Sequence, residues 1–329
     1  MLRAAVVGLG WWGKQIVKCL RESRLIRVTH GVDVAAPQLA AFAAEYGLRL
    51  GDSFEAMLGD PAVDAVVIAT PHSMHEAQVL AAIAAGKQVF CEKPLCTNAR
   101  EMEAVAEAIT AAGVQLGIGH ERRFEPALER LAAAVRSGEL GEIRHMEASA
   151  GHALFAAMDA SNWRVNPKDA PAGAMTALGI HVTDLWLSLV GRPTRVWART
   201  RRGANGREDH VSAQLDFASG ATGALTCLSS VPFHSRIAVR GTRGWIEVME
   251  NANVDQGKPS DLLQSDAEGR RTSESYAPIN TVLLNFEAWA DAVAGRRPYR
   301  FTRDQLLDNV RVLDAIVTSA AEGSRTIEL

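Results

Sequence analysis

Cysteine is scarce in this chain: Cys19, Cys91, Cys96 and Cys227 are its only ones, and no two form a C-x-x-C pair. That spacing suits neither a disulfide framework nor a zinc site. Long hydrophobic runs are also missing, since no apolar stretch reaches the roughly 18 residues that a spanning helix needs. The N-terminus lacks a cationic segment followed by an apolar core and a cleavage site, so a reduced, cytoplasmic protein is expected. A dominant charge is missing too. The 35 basic and 38 acidic residues give a formal net charge of −3 and are spread evenly, which argues against nucleic acid or an anionic membrane as partner. The substrate must then be held by a local site rather than by a long-range field. What the chain has is apolar residues, 47% of 329, enough for two cores and hence two domains.

The most informative stretch is 6–13, Val-Val-Gly-Leu-Gly-Trp-Trp-Gly. A short apolar run over 4–7 leads into Gly8, Gly10 and Gly13, after which Ile16, Val17 and Leu20 recur at helical spacing. The pattern is a strand, a tight turn and a helix. Gly8 permits the sharp turn, Gly10 lets backbone approach a pyrophosphate, and Gly13 lets the helix pack close on the strand. The helix N-terminus at Trp11 and Trp12 then offers N–H groups to the anion. Three glycines at this spacing also fit a turn that binds nothing. The difference lies in a second apolar strand over 28–32, ending in Asp33, about 20 residues beyond the turn. A carboxylate there accepts both ribose hydroxyls of an adenosine. The following Val34, Ala35, Ala36 and Pro37 bring no Arg or Lys for a 2′-phosphate, so NAD is expected in preference to NADP.

Strands and helices alternate over 1–120 in the manner of a doubly wound parallel sheet of the Rossmann type, an α/β dinucleotide-binding domain. Within it, 65–69 is continuously apolar, as befits a strand covered on both faces. Ligands bind such sheets beyond the carboxyl ends of the strands. There the polar clusters fall: Thr70-Pro71-His72-Ser73-Met74-His75 after one strand, Glu92-Lys93-Pro94 after the next, and His120 with Arg122 and Arg123 after the last. Any one of these alone fits a solvated turn; three at successive strand ends point to a site.

Residues 121–329 read as a second α/β domain. Helices are expected over 125–136 and 174–189, a strand over 143–150, and an irregular Trp-, Asn- and Pro-rich stretch up to Gly173. Alternating segments at 195–200, 211–217, 222–228, 236–239 and 245–248 argue for a mixed or antiparallel sheet with one face on a core. The polar stretch 251–277 reads as a loop or ragged hairpin. Val282, Phe286, Trp289 and Val293 form one helical apolar stripe, and Leu306, Val310, Leu313 and Val317 another; both read as core packing.

The glycine turn, Ala69-Thr70-Pro71-x-x-x-His75, Glu92-Lys93-Pro94 and Gly179-Ile180-His181-Val182-Thr183-Asp184 occur in this order. Together they resemble the glucose-fructose oxidoreductase, inositol dehydrogenase and rhizopine-catabolism (Gfo/Idh/MocA) family over essentially the whole chain. The resemblance implies a substrate-binding C-terminal domain with a large open sheet, often used to form homodimers or homotetramers. It implies oxidation of a secondary alcohol on a sugar, cyclitol or related cyclic diol, or the reverse reduction. It places Thr70, Pro71 and His75 along the nicotinamide side of the cofactor, makes Lys93–Pro94 a candidate cis peptide, and sets Trp163 and Arg164 near substrate or nicotinamide. The cofactor set is then Gly8, Gly10, Trp11, Trp12, Gly13, Asp33, Thr70, Pro71, His75, Glu92 and Lys93, and no metal is called for. Two positions depart from the family pattern. His72 stands where Asn is common, and Ala177 stands where competent relatives often carry Asp, four residues before the histidine.

Hydride removal from a carbinol needs a base for the hydroxyl proton and a donor for the developing alkoxide. Lys93 is the candidate donor, because a lysine pKa falls readily in a dry or cationic setting. His181 is the candidate base, because imidazole titrates near neutrality. Asp184 follows it on the same helical face and is placed to orient the imidazole, to bind substrate, or to pair with a neighbouring side chain. His120, Arg122 and Arg123 would suit a carboxylated or heavily hydroxylated substrate. Two other readings remain open: a redox-neutral enzyme with tightly held NAD, and a non-catalytic dinucleotide or sugar sensor, the latter motivated by Ala177.

Overall fold

The computed structural model describes residues 1–153, 158–159, 161–203 and 206–329. Of the stretch expected to be irregular, 154–157 and 160 lie outside the described residues. A run such as Ala65-Val66-Val67-Ile68 offers solvent nothing polar, and all four residues are fully buried at the centre of a parallel sheet. That sheet comprises β1 (Leu2–Val7), β2 (Ile26–Val32), β3 (Arg49–Gly51), β4 (Ala65–Ile68), β5 (Gln88–Cys91) and β6 (Leu116–Ile118), in the order β3-β2-β1-β4-β5-β6. All its pairings are parallel. The crossovers carry α1 (Trp11–Leu20), α2 (Ala40–Tyr46), α3 (Phe54–Leu58), α4 (His75–Ala84) and α5 (Ala99–Ala112). Strand order reverses between β1 and β4, so the turns that follow these two strands flank the switch-point crevice where doubly wound sheets bind ligands.

The remaining helices are α6 (Pro126–Arg136), α7 (Ile180–Val190), α8 (Thr281–Val293) and α9 (Arg303–Ala321). The second sheet contains β7 (Ile143–Gly151), β8 (Pro193–Arg202), β9 (Glu208–Phe217), β10 (Thr222–Leu228), β11 (His234–Gly241), β12 (Gly244–Glu250), β13 (Ser260–Asp266), β14 (Arg271–Tyr276) and β15 (Ile327–Glu328). Its order is β14-β13-β12-β11-β7-β10-β9-β8-β15. It is mixed: β7 and β10 run parallel, and the other neighbours are antiparallel. The period-two pattern expected of such strands is plain in β9, where Val211, Ala213, Leu215 and Phe217 are buried on one face against a core that includes Met146 and Trp186. The polar stretch after β12 is an ordered hairpin, β13 with β14. No helix among the described residues is long and apolar enough to cross a membrane.

The chain divides into two compact units, one of Met1–Glu121 with Asn280–Arg303, the other of Arg122–Ile279 with Asp304–Leu329. A single boundary after residue 120 would have left 280–303 in the second domain. The cause of the return lies at β6, an edge strand whose outer backbone groups need partners. Asn285 on α8 donates to Ile118 O (2.7 Å), while the Tyr299 hydroxyl accepts from Ile118 N (3.2 Å) and donates to Asn285 Oδ1 (2.7 Å). The Trp289 indole donates to Gln115 O (2.8 Å), and Phe286 stacks on Phe90 of β5 with ring centroids 3.8 Å apart. The apolar stripe of α8 is core packing, and the core it joins is that of the first unit.

Asn285→Ala leaves the Ile118 carbonyl and the Tyr299 hydroxyl short of a partner in a buried setting, which costs about 2 kcal/mol. Equilibrium urea unfolding of the variant against the parent will show this as a lower midpoint. Equal midpoints would mean that α8 is held by apolar contact alone.

Candidate active site

Close backbone approach builds the glycine turn. Gly8 has φ +88°, and a Cβ there would lie 2.6 Å from Ala69 O; a Cβ on Gly13 would lie 1.9 Å from Gly8 O. Both positions therefore exclude a side chain for packing reasons. Gly10 is different, since a Cβ there would meet nothing within 4 Å, so the space beside it is a cradle open to a ligand. Gly10 is also the N-cap of α1 and supplies no side-chain cap, which leaves the first amides of the helix to an external anion. Asp33, just beyond β2, accepts from Leu9 N through Oδ2 (2.7 Å) and from Ala35 N through Oδ1 (2.8 Å). Each oxygen retains acceptor capacity for a ribose hydroxyl. Trp11 is exposed, whereas Trp12 buries its indole nitrogen without a hydrogen-bond partner. These features fit a dinucleotide.

The next two strand ends are tied together. His75, at the start of α4 and fully buried, places Nδ1 2.8 Å from Pro94 O and Nε2 3.1 Å from Thr70 O. Both partners are acceptors, so the ring bonds both at once only as the imidazolium. His75 thus braces the Thr70-Pro71 turn against the Glu92-Lys93-Pro94 turn. The Thr70 hydroxyl is spent on Gln78 Oε1 (2.5 Å), and the Lys93–Pro94 peptide is cis. His120 is buried beside Phe301, ring centroids 6.2 Å apart.

In the second unit, His181 sits at the first turn of α7, directly after a π-helical turn, Met175–Gly179. The sequence reading expected one continuous helix there; π turns of this kind recur at functional sites. Asp184 does not orient the imidazole. Both of its carboxylate oxygens lie 2.7 Å from Arg123, on Nε and Nη2, and Gln305 Oε1 accepts from the same guanidinium at 3.1 and 3.2 Å. Arg122 is likewise answered, with Nη1 2.6 Å from both oxygens of Glu250 and Nη2 3.2 Å from Asn253 Oδ1. Arg122, Arg123 and Asp184, expected to meet substrate, are thus neutralised within their own unit. A bidentate Arg–carboxylate pair satisfies itself so well that it leaves little for a ligand. His181, His234 and these two pairs line a void of about 20 Å³, room for about one water.

Arg164 lies flat on Trp163, its Cζ 4.2 Å from the ring centroid, and it lines a separate cavity of about 350 Å³ that Ala177 also lines. Arg202 and Arg207, from the β8–β9 connection, complete the cationic side of that cavity; the sequence reading missed them. A single turn joining two strands carries no local signal that it borders a pocket.

Burial dominates the electrostatics of the nucleotide-side turn. The Glu92 carboxyl is pushed up to about 8, first by desolvation and then by Glu121, against the smaller opposing pulls of Trp12 and Lys93. The unfolded chain ionises this group near its ordinary value of 4.5, so between 4.5 and about 8 the folded state binds the extra proton. Stability from this group is therefore complete below that window and is lost as pH rises through it. Glu92→Gln removes the titration. Urea midpoints measured from about pH 5 to about pH 9 will fall more steeply with pH in the parent than in the variant, and parallel profiles would contradict the assignment.

Comparison with known proteins supports the same reading. Residues 2–120 match the family described as "Oxidoreductase family, NAD-binding Rossmann fold", and residues 128–247 match the "GFO/IDH/MocA C-terminal domain". The chain is 32% identical over 287 residues to D-xylose 1-dehydrogenase (NADP(+)) 2 of Haloferax volcanii, covering 87% of each chain. It is 31% identical over 257 residues to trans-1,2-dihydrobenzene-1,2-diol dehydrogenase of Bos taurus, covering 76% of this chain and 74% of that one. Its fold matches that of aldose-aldose oxidoreductase from Caulobacter crescentus, complexed with glycerol, with a TM-score of 0.89 at 27% identity, covering 100% of this chain and 99% of that one. With both domains matched and a relative of this similarity spanning most of its length, the chain belongs to the GFO/IDH/MocA family of NAD(P)-dependent oxidoreductases.

Proposed function

We propose that the protein is an NAD-dependent dehydrogenase that oxidises a secondary alcohol of a sugar, cyclitol or related cyclic diol, or reduces the corresponding ketone. The observation that carries this reading is the nucleotide-side cradle: open space at Gly10, an uncapped α1 N-terminus, and a ribose-accepting Asp33 on one crevice. The named relatives act on an aldose and on a dihydrodiol, which supports the substrate class. When bound, the nicotinamide supplies the hydride acceptor.

The chain's own residues supply the rest. Lys93 donates to the substrate oxygen and favours its anionic form as the C–H bond weakens. His181 takes the hydroxyl proton, at a ring that is nine-tenths buried and flanked by two closed ion pairs. Asp184 acts on Arg123 rather than on substrate, so it is a positioning residue for α7. His75 positions Lys93 by bonding the carbonyl of the next residue. Asp33 selects NAD, since its carboxylate would repel a 2′-phosphate. The relative that is named for NADP(+) makes this preference worth measuring directly.

Lys93→Ala and His181→Ala will each lower kcat/KM by about 10²–10⁴-fold. NAD binding, followed by quenching of tryptophan fluorescence, will survive in His181→Ala. Unchanged turnover in His181→Ala would remove it from the chemistry. NAD will exceed NADP in kcat/KM by about tenfold or more, and Asp33→Ala will erase that ratio; a parent enzyme that prefers NADP would overturn the role given to Asp33. Ala177, in place of an acid common among relatives, is the feature that favours a non-catalytic sensor. That reading would be upheld by tight NAD binding without NADH formation on any aldose, cyclitol or dihydrodiol.

A further inference from the structure

The cavity of about 350 Å³ in the second unit falls within the roughly 300–1,000 Å³ of small-molecule sites. It opens at Ala177, one helical turn before His181 on the same segment, so it belongs beside the proposed base. Its charge is unlike that of the rest of the unit's interior. Around His181, each of two arginines faces its own carboxylate, Arg122 with Glu250 and Arg123 with Asp184. In the cavity, three guanidiniums, Arg164, Arg202 and Arg207, face two carboxylates, Glu208 and Asp209. Cations exceed anions by one.

Several contacts fix these groups. Arg164 is held flat on the Trp163 ring, Arg202 Nη1 donates to Gly206 O (3.1 Å), and Arg207 Nη1 donates to Met158 O (2.8 Å). Carbonyls orient a guanidinium without neutralising it. Glu208 accepts from the Thr200 hydroxyl (3.2 Å), and Ser229 and Ser230 add hydroxyls at the end of β10. A planar fork matches a carboxylate through two parallel bonds, and carboxylates and serines match vicinal hydroxyls.

We propose that this cavity binds a polyhydroxylated carboxylate, an aldonate or uronate, with its acid group on the arginines and its hydroxyls on Glu208, Asp209 and the serines. The proposal rests on the dehydrogenase reading for its chemistry and names the substrate class of that enzyme. The surplus positive charge is answered by the substrate itself, in place of the neutral sugar that a balanced cavity would select.

The test compares D-gluconate and D-glucuronate with D-sorbitol and D-glucose, and with D-glucose 6-phosphate, in the full-length protein. Binding is read by calorimetry and turnover by NADH formation, in the parent and in Arg202→Gln, whose exposed side chain can change without loss of the fold. The expected result is kcat/KM about tenfold or more higher for the carboxylates than for the neutral partners. Arg202→Gln should raise KM for the carboxylates by a similar factor, leave D-glucose within about twofold, and leave NAD affinity unchanged. Preference for the neutral sugars, preference for the phosphate, or an equal effect of Arg202→Gln on all of them would overturn the proposal. NADH formation from neutral polyols alone would sink this proposal and spare the dehydrogenase reading. Arginine-dependent carboxylate binding with no NADH from any compound would do the reverse.

Discussion

Everything on the nucleotide side depends on one steric constraint, the contact of backbone with backbone at the end of β1. Gly13 rests against the Gly8 carbonyl and Gly8 against Ala69, so α1, β1 and the end of β4 are locked without any side chain between them. Asp33 adds a bond to Leu9 N and fixes the adjacent strand end to the same turn. From Ala69 the constraint passes to Thr70, whose carbonyl faces His75, and through His75 to the Pro94 carbonyl beside Lys93. A cofactor cradle and a candidate catalytic ammonium are thus placed by one continuous set of short contacts. Preorganisation of this kind is what lets donors act on developing charge without rearranging.

The second unit reaches an ordered site by different means. Its sheet offers a broad face, and its core is apolar, yet two ion pairs are buried beside His181 with exposures of 12% and 4% for one and 8% and 1% for the other. Buried pairs of this sort contribute little net stability but specify geometry, and losing one partner strands the other. Here they bracket α7 just after a π turn, where the backbone departs from regular helix. The arginines that sequence alone nominates for substrate are consumed in that bracket, and the surplus cations lie instead around the separate cavity.

Local signals made much of this legible from the sequence. Gly8, Gly10, Gly13 and Asp33 lie within one strand-turn-helix-strand unit, and the apolar run at β4 announces a doubly covered strand. The cis Lys93–Pro94 bond was expected from the family resemblance and is present. What escaped was long-range. Asn285 and Tyr299 close the edge of β6 from more than 160 residues away, so no window along the chain could return 280–303 to the first unit. The partners of Arg122 and Arg123 sit 128 and 61 residues distant, and the two arginines therefore looked available. The π turn before His181 follows from packing that helical periodicity does not encode. The polar β13–β14 hairpin lacked an alternating apolar signal, and pairing with β12 supplies its register.

The central claim is direct hydride transfer from a carbinol carbon to a nicotinamide held over the glycine turn. Its most direct test supplies NAD with a panel of polyols, aldoses, sugar acids and cyclic diols deuterated at the carbinol carbon, and reads the reduced cofactor by mass spectrometry and NMR. The account predicts that at least one compound yields NADH carrying deuterium at C4 of the nicotinamide ring. Deuterium recovered only in water, or no reduced cofactor from any compound while NAD remains bound, would contradict it.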